Sequence, residues 1–158
     1  MKIHVYERAF LIVGAFMLVA FLGALGFASV SMGIHLPGRS GRIDPAAVTT
    51  TPPFDAPGVR ETAPGRYEVV IVARAWGFVP SEIRVPAGSE VRIVATTTDV
   101  IHGLHVEDTR VNMMLIPGEI SANRYTFERP GEYRMVCHEY CGIGHHVMAG
   151  RVIVEEVP

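Results

Sequence analysis

Both cysteines of the chain lie in Cys137-His138-Glu139-Tyr140-Cys141, and Gly142-Ile143-Gly144-His145-His146-Val147-Met148 follows directly. Two thiols, three imidazoles and a thioether thus fall within twelve residues. Soft sulfur beside imidazole suits copper or zinc. A structural zinc site wants four strong ligands, usually with a second Cys pair, and this chain has none. A further strong ligand must come from elsewhere, and His102, in Asp99-Val100-Ile101-His102-Gly103, is the candidate. One copper recipe takes His102, Cys137 and His145 with Met148 as a weak axial ligand, leaving Cys141 without a role. Another lets both thiolates bridge two copper ions, each with one histidine, while Met148 and a backbone carbonyl act as weak outer ligands. A third possibility is a structural disulfide, as exported domains often carry. It leaves Met148 and the flanking histidines unexplained.

The remaining candidates have plainer readings. His4 and His35 flank an apolar stretch and read as interfacial side chains. His105, in Leu104-His105-Val106, reads as a hydrogen-bonded structural residue, and His138 and His146, next to the ligands, as either solvated side chains or supports behind those ligands. Met113, Met114 and Met135 read as core filler. Trp76, in Trp76-Gly77-Phe78, reads equally as a rim aromatic or as part of a functional surface.

The elements that must hold this cluster read as strands. Glu68 to Ala75 is a near-continuous apolar run, the pattern of a strand buried on both faces. Arg124-Tyr125-Thr126-Phe127-Glu128 alternates polar with aromatic, and Glu132 to Cys137 places Tyr133, Met135 and Cys137 on one face. Pro86-Ala87-Gly88, Pro117-Gly118 and Arg129-Pro130-Gly131 mark turns between the runs. Short strands at this spacing predict an antiparallel sandwich or barrel over residues 67–158.

The rest of the chain is of different character. Ala9 to Ile34 contains no charged residue, is long enough as a helix to cross a bilayer, and exceeds the core of a signal peptide. Residues 1–36 are therefore expected to be a retained transmembrane anchor, although Gly26-Phe27-Ala28-Ser29 offers small residues where cleavage could occur. Lys2 and Arg8 before the span and Arg39 and Arg42 after it leave its orientation open. Residues 37–66 hold six of the eleven prolines and are expected to form an extended linker rather than a packed element. The formal net charge of −2 includes no basic patch of the kind that binds nucleic acid. One small domain is also too little for a large enzyme with its own substrate domain.

The Asp99-Val100-Ile101-His102 segment, followed by Cys-x₃-Cys-x₃-His-x₂-Met at 137–148, closely resembles subunit II of the haem–copper cytochrome c oxidases. The single span and Pro-rich linker look most like the ba-type oxidases of thermophilic bacteria, where mitochondrial-type subunits have two spans. The resemblance implies an all-β, cupredoxin-like Greek-key β-barrel preceded by one N-terminal transmembrane helix. It also implies a dinuclear CuA centre of two copper ions. Cys137 and Cys141 would be the bridging thiolates and His102 and His145 the terminal imidazoles, with Met148 and the Glu139 carbonyl oxygen as the weak ligands. The Glu139 carboxylate is then a candidate for magnesium at the border with the neighbouring subunit. Trp76 falls where the family has aromatics near the surface that receives electrons.

On this resemblance the chain takes electrons from cytochrome c and passes them to haem in subunit I, where oxygen is reduced. It would sit in the bacterial cytoplasmic membrane, with its N-terminus cytoplasmic and the copper domain on the outer face. A small extra helical subunit could replace the missing second span. Nitrous-oxide reductases share a similar copper motif but need a large further domain. The rival reading is a membrane-anchored copper-binding module, for delivery or single-copper electron carriage, without an oxidase partner.

Overall fold

The computed structural model describes residues 4–32 and 40–156. His35, Lys2 and Arg39 lie outside the described residues. The chain divides into two compact units, Met1–Ile34 and His35–Pro158.

The first unit is one helix, α1 (Val5–Ser31), of 27 residues. At about 1.5 Å rise per residue it is roughly 40 Å long, more than the ~30 Å hydrocarbon core of a bilayer. None of its residues is buried. Phe10, Leu18 and Phe21 stand exposed, as a single lipid-facing helix requires.

The second unit is built from two five-stranded sheets. One holds β1 (Gly58–Ala63), β2 (Arg66–Arg74), β3 (Gly77–Val79), β5 (Glu90–Thr97) and β8 (Ser121–Thr126). The other holds β4 (Glu82–Pro86), β6 (His102–Val106), β7 (Asn112–Leu115), β9 (Gly131–Val136) and β10 (Ala149–Glu155). Ile71, Ile93, Leu104, Met113, Phe127, Met135 and Val152 are among the buried residues of the core between them. The expected β architecture is present, but it is not wholly antiparallel. β2 pairs with β5, and β4 with β10, in parallel. Neither pair is consecutive in sequence, so each is joined by a crossover, which strand-by-strand alternation does not reveal.

The reading of residues 37–66 as an extended linker needs correction over its described part. Gly41 and Ile43 pair through backbone hydrogen bonds with Ile120 and Gly118. Pro45–Thr50 forms a 3-10 helix, begun by Asp44 accepting from the Ala46 N–H, and Gly58–Ala63 is strand β1. Val48 and Phe54 are fully buried against Val70, Val72 and Val94 on the outer face of the first sheet. This explains why the apolar run of β2 is continuous: Val69, Ile71 and Ala73 face the inter-sheet core, while Val70 and Val72 face this strap. Proline here fixes turns in a packed segment instead of stiffening a free one.

Candidate metal centre

β9 ends at Val136 and β10 begins at Ala149, so residues 137–148 form the loop between two paired neighbours. The Cys137 N–H donates to the Met148 carbonyl at 3.1 Å, closing the loop at its base. Inside it, the His145 N–H bonds to the Gly142 carbonyl at 3.0 Å, and a short 3-10 turn carries His145–Val147. His102 enters from the start of β6, which pairs with β9 through His105↔Val136 and Val106↔Met135.

The side chains converge. Cys137 Sγ and Cys141 Sγ are 3.8 Å apart, both thiols are buried, and they form no disulfide. His102 Nδ1 lies 3.8 Å from Cys137 Sγ, and His145 Nδ1 lies 3.6 Å from Cys141 Sγ. Met148 Sδ is 3.7 Å from Cys141 Sγ, and the Glu139 carbonyl oxygen is 3.2 Å from Cys137 Sγ. The donor atoms of His102, Cys137 and Cys141 all fall within 4.8 Å of one another. A metal ion bound to two thiolates at about 2.3 Å each needs them no more than about 4.6 Å apart, so the pair fits a shared metal. All six residues singled out from sequence are thus brought to one place.

His102 is wholly buried, and its orientation has a visible cause. Its Nε2–H donates to Asp99 Oδ1 at 2.9 Å, which leaves Nδ1 facing the sulfurs as a lone-pair donor. Partial burial raises the Asp99 carboxyl. The bonds from His102, the Ala75 and Val100 N–H groups and Thr97 outweigh that and leave it below the usual carboxylate range. Asp99 therefore stays ionised and holds the imidazole in one tautomer. In sequence, Asp99 stands out only as the start of the Asp99-Val100-Ile101-His102 segment. The three-residue spacing to His102 was the available signal for this role.

His105, His138 and His146 have roles apart from the cluster. His105 Nδ1 donates to the Val111 carbonyl at 3.0 Å. His138 bonds to the Asn112 side-chain oxygen and stacks near His105, with ring centroids 6.1 Å apart. Its ring lies over Gly103, where a Cβ would sit 1.6 Å from Nδ1. Burial, chiefly, lowers the His138 pKa below the usual imidazole value. His146 is exposed. Met113 and Met135 are core residues, whereas Met114 is exposed, 40%, and does not fill the core.

A two-sheet β domain whose loops gather cysteine, histidine and methionine, in a chain with one long apolar helix, defines a membrane-anchored, cupredoxin-like copper-binding domain. The family model described as cytochrome C oxidase subunit II, periplasmic domain, matches residues 64–157. A Thermus thermophilus cytochrome c oxidase subunit 2 is 41% identical over 155 residues, covering 96% of this chain and 92% of that one. A second Thermus thermophilus subunit 2 is 44% identical over 135 residues, with 84% and 100% covered. Among solved structures, a chain of a haem–copper terminal oxidase dimer seen by cryo-electron microscopy aligns with TM-score 0.74 and 38% identity, over 95% of this chain and 99% of that chain. The periplasmic domain of subunit II of a Bradyrhizobium japonicum cytochrome oxidase shares the fold, with TM-score 0.52 at 20% identity, over 56% of this chain and 83% of that one. The chain belongs to the cytochrome c oxidase subunit II family.

Proposed function

We propose that this chain is the subunit through which electrons enter a haem–copper oxidase, carried by a dinuclear copper centre at His102, Cys137, Glu139, Cys141, His145 and Met148. The observation that carries this reading is the place of Cys141. It lies within 3.8 Å of the donor atoms of Cys137, His145 and Met148. A single-copper recipe without Cys141 discards a residue that sits among three of the others. As bridging thiolates, Cys137 and Cys141 account for that position, with His102 and His145 at opposite sulfurs. Two copper ions held by these residues would supply a one-electron site whose charge change is shared by both metals. The chain's own contribution is rigidity and dryness. Asp99 fixes His102, the bond between Cys137 and Met148 fixes the loop base, and both sulfurs are buried, so little must move or reorient when charge arrives.

The relatives are subunits of oxidases, and by extension this chain delivers electrons from cytochrome c to haem in a subunit I partner that reduces oxygen. The matched family is named for a periplasmic domain. This supports a copper domain outside the cytoplasmic membrane, an N-terminus inside, and α1 as the retained anchor. Single-span architecture leaves room for a small helical subunit beside it. The Glu139 carboxylate, unlike its carbonyl, is free to serve a magnesium ion at the border with subunit I.

The full chain, purified in detergent and loaded with copper, is expected to bind two coppers, turn purple and give a seven-line electron spin signal. One copper per chain with a blue colour defeats the dinuclear assignment. Purification without any haem protein, from cells that express the oxidase, favours the free copper-binding module instead.

A further inference from the structure

Trp76 stands on the turn between β2 and β3 and is 44% exposed. Its indole N–H donates to the Cys141 carbonyl at 3.0 Å. The ring also lies against the segment joining Cys141 to His145. A Cβ at Gly144 would sit 2.5 Å from the indole Cδ2, and one at Gly142 would sit 3.0 Å from Nε1. Gly142 also has φ +118°, a conformation glycine adopts without strain. The two glycines between these candidate ligands are therefore the space the indole needs. The residue before Trp76 reaches the other half of the centre. The Ala75 N–H donates to Asp99 Oδ2 at 2.6 Å, and Asp99 Oδ1 accepts from His102. One dipeptide touches both ligand-bearing segments, by the indole on one side and through Asp99 on the other.

We propose that Trp76 is a positioning residue for the metal centre, whose indole clamps the Cys141–His145 segment that carries the Cys141 thiol. The role rests on the ligand reading above and differs from electron uptake through a surface aromatic. Electron uptake needs a ring near the metal, whereas the clamp needs the N–H and the contact with Gly144.

The test uses the full chain in detergent, with Trp76→Phe, which keeps a ring and removes the N–H, and Gly144→Ala, which drives the ring off from the other side. The first readout needs no copper. It is the alkylation rate of Cys141 by iodoacetamide in the metal-free protein, resolved from Cys137 by peptide mass spectrometry. Loss of one partly buried hydrogen bond corresponds to about a threefold to tenfold faster reaction at Cys141, with a smaller change at Cys137. The second readout is copper release to a chelator, accelerated by a similar factor, with a shift in the copper spectrum. A thermal unfolding curve matching wild type shows that the variants are folded. Wild-type alkylation and wild-type copper release in both variants overturn the proposal. A wild-type chain that binds no copper overturns the ligand reading instead, and the metal-free arm still decides the clamp.

Discussion

The Cys141 sulfur at the heart of the site is held in an environment that favours its neutral form. Burial, with the Cys137 thiol beside it, pushes the Cys141 thiol up to about 11, against about 8.5 for a free cysteine. A metal binds the thiolate, so loading must expel the Cys141 proton. The sign follows directly. Between about pH 6 and pH 8 the metal-free group is protonated, and apparent copper affinity rises with pH by up to about tenfold per unit for this one proton. The rise levels off only near the raised pKa. Chelator-competition titrations at several pH values measure the slope, and a flat profile would mean that Cys141 is already ionised in the empty site. Burial that disfavours the thiolate in the empty site also keeps water from the sulfurs once metal has replaced the proton.

At the scale of elements, what could be read from sequence depended on how far apart the partners lie. Five of the six candidate ligands share one loop between neighbouring strands, so their spacing alone displays them. Two of the contacts that brace them are long-range. Ala75 reaches Asp99 across 24 positions, and Trp76 reaches Cys141 across 65, and neither residue type signals its partner. The strap over the first sheet escaped for a different reason. Its prolines suggested a free linker, while its anchors are two isolated apolar residues, Val48 and Phe54, with no periodicity to announce a face. The unusual continuity of β2 was the trace it left, since an edge-on sheet with one wet face would have alternated. The strap also makes a stability prediction. Phe54 is 1% exposed, and Phe54→Ala is expected to cost about 3–5 kcal/mol. Denaturant unfolding of the full chain in detergent reads this loss. A change below about 1 kcal/mol would show that the strap rests on the sheet without contributing to it.

Across the whole molecule, charge and apolar surface are differently placed. The outer face of the second sheet carries an ion-pair lattice in which Glu82 meets Arg84 and Arg151, while Arg84 also meets Glu155. These pairs are exposed, and each contributes little. The segments around the metal cluster instead present Trp76, Val100, Ile101, Tyr140, Ile143 and Val147 as exposed large apolar residues. The proposed donor cytochrome, docking there, would meet an apolar surface, and electrostatic steering would have a small part in the encounter. In the assembled oxidase, raising salt from about 50 to 200 mM is expected to change KM for the cytochrome by less than about threefold. A steep loss of apparent affinity over that range would place docking on the charged faces instead.

The order of the chain has a consequence for biosynthesis. α1 and nearly all of the β framework precede residue 137, where the first ligand of the loop appears. The loop is fixed at both ends only when β10 lies between β4 and β9. A growing chain therefore commits its hydrophobic helix long before it has a pocket to fill. On the proposed copper reading, metal acquisition would be a finishing step on a two-sheet domain already nearly complete, so copper would have to reach the folded domain rather than the ribosome.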